Sequence, residues 1–159
     1  GPIVPTRLEA EMVSAEKLAS FYPPPADFDP GALASWVALM EETRQARLDN
    51  VARLHRAGVT ILAGSDTQSG VFPGAGLHRE LATLVEAGLA PAEAIRAATL
   101  YPARFLADGE EPDVGVIAAG KRADLLLVNG DPTRDIAALS DIRAVVLNGS
   151  LLERRGRRR

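Results

Sequence analysis

The stretch "GVTILAGSDT", Gly58 to Thr67, constrains this chain more than any other. Val59 to Ala63 is a short, wholly apolar run, as expected of a strand buried on both faces, the pattern of parallel sheets. It opens onto small residues, ends on Asp66 and is followed by the glycine-rich "GSDTQSGVFPGAG". A carboxylate at the tip of a buried strand has two readings. It can cap a helix or hold a loop by a hydrogen bond, as most Asp residues after strands do. It can also ligate a hard or borderline metal or move a proton, because active sites of (β/α) barrels lie at the C-terminal ends of strands. Spacing alone leaves both open.

The surrounding pattern favours an α/β chain. "IVP" near the start predicts a short strand stopped at Pro5, and Pro23 to Pro25 exclude regular structure. Residues 29–58 predict a long helix, with a break inside it allowed. Asp29 is a candidate cap, Pro30 suits the first turn, and Gly58 is a C-terminal stop. Leu33, Val37, Met40, Leu48, Val51 and Leu54 form its apolar stripe. "LHRELATLVEAG" predicts a helix with Leu77, Leu81, Leu84 and Val85 on one side, ended by Gly88. "APAEAIRAATL" and "YPARFLA" predict two short helices. Their Ala97, Ala98 and Ala103 allow close approach, and Leu100 and Phe105 are expected to fill core. Residues 1–107 thus follow the strand–helix order of a parallel sheet or barrel.

After Asp108 the character changes. "DVGVIAAGKRADLLLVNGD" predicts two strands around a turn that carries Lys121 and Arg122. "DLLLV", Asp124 to Val128, is expected to be buried on both sides. "IRAVVLNGSLLER" predicts a hairpin closed by Asn148-Gly149. Residues 108–153 therefore form a small β unit, and "RRGRRR", 154–159, a basic tail. The net charge is −3, and the five tail arginines leave −8 on the rest. A solvated tail is the ordinary reading; nucleic acid is not an expected partner.

The 159 residues, 47% hydrophobic and 25% charged, suit one soluble domain. No apolar run approaches the ~18 residues of a membrane span. With no cysteine, disulfides, thiolate metal sites and Cys nucleophiles are excluded. The first residue is not Met and no signal-peptide pattern follows, so a piece of something longer is expected. The loop glycines Gly70, Gly74 and Gly76 precede a helix and could face an anion, but no Walker sequence follows; loop flexibility is the preferred reading. Ser65 and Thr67 have no adjacent His to activate them, so they are expected to orient Asp66. His55, between Arg53 and Arg56, is expected on a helix surface or in packing. His78, twelve positions after Asp66, is a candidate substrate contact, with plain helix-start polarity as the alternative. Glu80 is assigned no role.

"GVTILAGSDT", "LHRELATLVEAGLAPAEAIRAATLYPARFL", "VGVIAAGKRADLLLVNGDP" and "IRAVVLNGS", in this order, resemble the C-terminal part of a metal-dependent amidohydrolase of the imidazolonepropionase-like or prolidase-like kind. The resemblance runs from "IVPTRLE" to "VVLNGSLLE". It implies α/β architecture: the C-terminal portion of a (β/α)8 TIM-type barrel in residues 1–107, with "IVPT" as strand seven and "VTILAGSD" as strand eight, and strands of a small β-sandwich in 108–153. It implies that Asp66 is both a metal ligand and the proton shuttle that activates water and protonates the leaving amine. It implies a divalent metal, zinc by preference, and a small amide-type substrate. The His-x-His of strand one, the bridging residue of strand four and the histidines of strands five and six are absent here. The expectation is a fragment of a hydrolase acting on C–N bonds, inactive alone, whose partners are the missing N-terminal barrel strands. A non-catalytic α/β module that only packs or binds is the alternative. Strand edges and apolar faces left bare predict low solubility or self-association.

Overall fold

Glycine placement sets the helix ends. The computed structural model describes residue 10, residues 30–66 and residues 74–152. The expected strand "IVPT", the proline loop, the Asp29 cap, Thr67, Gly70 and the arginine tail lie outside these residues. Helix α1 is Pro30–Glu42 and α2 is Arg44–Arg56. The long segment is thus broken at Thr43, whose hydroxyl donates to the Leu39 carbonyl at 2.7 Å. Such back-bonding by Ser or Thr bends helices. At the end of α2, Gly58 takes φ +82°. The Gly58 and Val59 amides donate to His55 and Leu54 carbonyls at 2.9 and 3.1 Å, the paired bonds of a Schellman ending. Helix α3, Ala75–Glu86, ends the same way at Gly88, φ +104°, with Leu89 donating to Leu84. Helices α4, Pro91–Ala98, and α5, Leu100–Leu106, follow, Pro91 occupying the first turn of α4.

The core lies between α3 and α4. Leu81, Leu84, Leu89, Ala94 and Ala97 are buried together, the two alanines at 0% exposure. Val51 of α2, Ile61, Ala63, Leu77, Val85, Ala98 and Tyr101 pack around them. The small side chains of α4 are what let its neighbours come close. Of the expected stripe on the long helix, Leu48 is buried and Val51 half-buried, but Val37 and Leu54 are exposed. The break at Thr43 gives α1 and α2 separate axes, so one stripe no longer serves both. Phe105 is also a correction: it is 72% exposed and fills no core. Helix α5 is seven residues long, and Ala103 is its buried residue, so Phe105 falls on the outer side.

Three strands form one antiparallel sheet in the order β1-β2-β3: β1 Leu125–Val128, β2 Ile142–Leu147 and β3 Ser150–Leu152. Leu126 faces Val145 and Leu127 faces Ala144; a bulge between Leu127 and Val128 brings Val128 opposite Ile142. Val146 pairs with Leu151 across the second ladder. Asn148 and Gly149, φ +48° and +77°, close the expected hairpin with both turn residues left-handed. Asp124 anchors it, accepting the Asn148 amide at 2.7 Å. That bond, seconded by Arg122, holds the Asp124 carboxyl below its ordinary range against partial desolvation. A tight helical turn, Ile136–Ser140, carries Ile136 and Leu139 onto the helical core and so joins sheet to helices.

Two expectations for the sheet fail. Residues 113–116 form bends, and no strand is found there. The loop is held by Lys121, which bonds Glu111 and the Pro112 carbonyl, and by the Arg122 amide on the Asp113 carbonyl. "DLLLV" is not buried on both sides: Leu126 and Leu127, on opposite faces, are both about half exposed. Among the described residues no second layer covers either face of β1 there.

Candidate functional site

Val59 to Asp66 is the largest departure from the sequence reading. The segment is not a strand. A strand requires a hydrogen-bonded neighbour along its length, and the backbone bonds described for this segment go to helical residues: the Val59 amide to the Leu54 carbonyl at 3.1 Å and the Ala63 amide to the Ala97 carbonyl at 2.9 Å. It nevertheless alternates: Ile61, Ala63 and Ser65 are half-buried, while Leu62, Gly64 and Asp66 are exposed. Ile61 and Ala63 rest on the Leu81–Ala97 core. The apolar run therefore buries one face only, where complete burial was expected.

Asp66 ends this segment with φ +42°. The left-handed region is uncommon for a residue with a Cβ, though Asp enters it more readily than most. The carboxylate is exposed and has no hydrogen-bond or ion-pair partner among the described residues. It does not cap α3, whose N-cap is Gly74, φ +76°. So the ordinary duties of an Asp after an apolar run, capping and loop bonding, are not what this side chain performs among these residues.

His78 lies in the first turn of α3, beside the buried Ala75 and Gly76. It is half-buried, and its Nδ1 is enclosed without a hydrogen-bond partner. Burial lowers its pKa below the ordinary histidine value, favouring the neutral ring. Leu77, next to it, packs on the same core as Ile61 and Ala63. One cluster thus supports both the segment that ends in Asp66 and the helix turn that carries His78. His55, by contrast, is on α2 and half-buried. Ser65 flanks Asp66 and makes an interaction of its own. Lys121 and Arg122 serve the loop described above.

One polar cluster was not singled out from the sequence. The Tyr101 hydroxyl of α5 donates to Glu93 of α4 at 2.5 Å, and Arg96 reaches the other Glu93 oxygen at 3.0 Å. Tyr101 above all, then Arg96, holds the Glu93 carboxyl below its usual range, with desolvation opposing. Glu93 in turn raises the Tyr101 hydroxyl. The Glu93–Arg96 spacing of three was the available signal; the Tyr101 partner, across a helix junction, had none.

The model of the amidohydrolase family matches residues 9–152. The chain belongs to the amidohydrolase family. It is 37% identical over 97 residues to adenine deaminase 3 of Rhizobium meliloti, covering 60% of this chain and 15% of that protein. To ochratoxinase of Aspergillus niger it is 36% identical over 91 residues, covering 57% and 18%. Among solved structures it resembles a Xaa-Pro dipeptidase with methionine bound in its active site, at 31% identity and a TM-score of 0.56, over 67% of this chain and 25% of that one. It also resembles molinate hydrolase, at 26% identity and a TM-score of 0.56, over 65% and 26%. The matched stretch spans under a fifth of the curated relatives' length. Family and structural neighbours imply a TIM-barrel-type fold; the described residues of this chain form helices and a small antiparallel sheet.

The family is generally metal-dependent. Among the described residues, no group of three or more His, Cys, Asp or Glu could hold a metal ion. A catalytic zinc typically takes about three protein ligands. The donor set among the described residues therefore does not amount to a metal centre.

Proposed function

We propose that this chain is the C-terminal part of an amidohydrolase-type enzyme that hydrolyses a C–N bond in a small amide. Residues 1–107 supply the last barrel units, 108–153 part of a β-sandwich, and 154–159 a basic tail. Asp66 is the carboxylate this part gives to the site. The observation that carries the reading is its placement: an exposed carboxylate without partner among the described residues, on left-handed backbone, at the end of a segment fixed to the core. Local strain of this kind gathers at functional sites. A carboxylate so placed can take a proton from the attacking water and return it to the leaving nitrogen, a transfer worth about 10²- to 10⁴-fold in rate. His78 is the substrate contact on the neighbouring helix turn. The divalent cation implied by the family, zinc by preference, needs ligands from strands beyond this chain, so the isolated chain is inactive.

The protein expressed from the whole reading frame that encodes this chain provides the test. Dipeptides ending in proline and N-acyl amino acids serve as substrates. The wild type is expected to release free amine, and Asp66→Asn to lower kcat by about 10²- to 10⁴-fold with KM little changed. Full activity in Asp66→Asn removes Asp66 from the reaction. No hydrolysis by the wild type supports the non-catalytic module instead.

A further inference from the structure

His78 presents a pairing problem. Its Nδ1 is enclosed and unpartnered. A neutral imidazole carries one N–H and one lone pair. Were the proton on Nδ1, a buried donor would have no acceptor, which native proteins tolerate less than an under-used acceptor. The lone pair therefore belongs on Nδ1 and the proton on Nε2. Nε2 is not among the enclosed, unpartnered atoms of the described residues, so the N–H falls on the unsealed side of the ring. Desolvation works in the same direction, against the charged ring that would carry both protons. The ring sits on a helix turn anchored to the core that also fixes the approach to Asp66.

We infer that His78 is a substrate-positioning residue: its outward Nε2–H donates a hydrogen bond to an oxygen of the bound amide substrate and transfers no proton. This rests on the hydrolase reading above and goes further, since it assigns the atom, the tautomer and the direction of the bond. Such a site selects substrates that offer an acceptor oxygen beside the scissile bond.

The same full-reading-frame protein and substrates test it. His78→Leu keeps the bulk and removes the donor; His78→Gln places an amide N–H near the position of Nε2. Losing one donor used equally in ground and transition states raises KM by about three- to tenfold with kcat little changed. His78→Gln is expected to recover most of that loss. The acid limb of the kcat/KM profile should be the same in all three proteins, because no proton passes through the ring. In ¹⁵N spectra, the His78 signals, assigned by their loss in His78→Gln, should report the neutral Nε2–H tautomer at pH 7. An unchanged KM in His78→Leu, no recovery in His78→Gln, a lost acid limb or an Nδ1–H tautomer each overturns the assignment. If His78→Leu behaves as wild type while Asp66→Asn is inactive, this inference alone fails. A wild type without hydrolase activity ends both.

Discussion

Gly115 shows how much one missing atom can matter. Its φ is +87°, and a Cβ built there would lie 2.7 Å from both the Ala103 Cβ and the Thr99 carbonyl oxygen. The loop after α5 thus passes against the start of that helix with no room for a methyl. Gly115→Ala combines a disfavoured backbone with a clash against backbone, so it should cost about 1–3 kcal/mol. The check is thermal unfolding beside Gly149→Ala, whose added Cβ meets nothing within 4 Å. Equal losses would mean that backbone conformation alone accounts for the effect. At this scale the sequence was legible where chemistry is local. Asp66, Gly58, Gly88 and Asn148-Gly149 could all be picked out from their neighbours. The enclosure of His78 Nδ1 could not, because it depends on what packs around the ring.

Between elements, the Tyr101–Glu93–Arg96 cluster clasps α4 to α5. The hydroxyl-to-carboxylate bond is charge-assisted but partly exposed, so Tyr101→Phe should cost about 1 kcal/mol. Its pH dependence follows from the shifts. Glu93 has a lowered folded pKa, so its contribution is present above the ordinary carboxyl value of 4.5 and is lost as pH falls through the folded value. Tyr101 has a raised folded pKa, so its contribution is present below 10.0 and is lost as pH rises through the folded value. The melting temperature of Tyr101→Phe should therefore lie below wild type at pH 7, and the gap should narrow towards acid and towards strong alkali. A gap independent of pH would assign the loss to packing. Arg44 and Glu86 form a similar tie between α2 and α3, with Arg44 Nη1 to Glu86 at 2.7 Å, on open surface. Salt should weaken it readily.

For the whole molecule the exposed apolar surface matters most. Ile117 is 89% exposed, Phe105 72% and Leu127 51%, with Leu106, Leu147 and Leu151 also in solvent. The edge strands β1 and β3 each present an unpaired side among the described residues. Surface of this kind favours association. The 159-residue chain by itself is expected to sediment as oligomers and to bind a hydrophobic dye, losing both behaviours when the rest of the reading frame is present. A monodisperse monomer with a sharp thermal transition would refute this.

The sequence by itself determined the helices, their glycine endings, the hairpin and the family, because capping, turn chemistry and helical periodicity act within a few residues. It also singled out Asp66 by its place after an apolar run. Only the tertiary structure decided that Val59 to Asp66 lies outside any strand with one face covered, that Leu126 and Leu127 lie bare, and that Phe105 points outward. Periodicity shows that a residue can be buried, but burial requires a partner surface. Which surfaces meet is settled by the packing of distant segments.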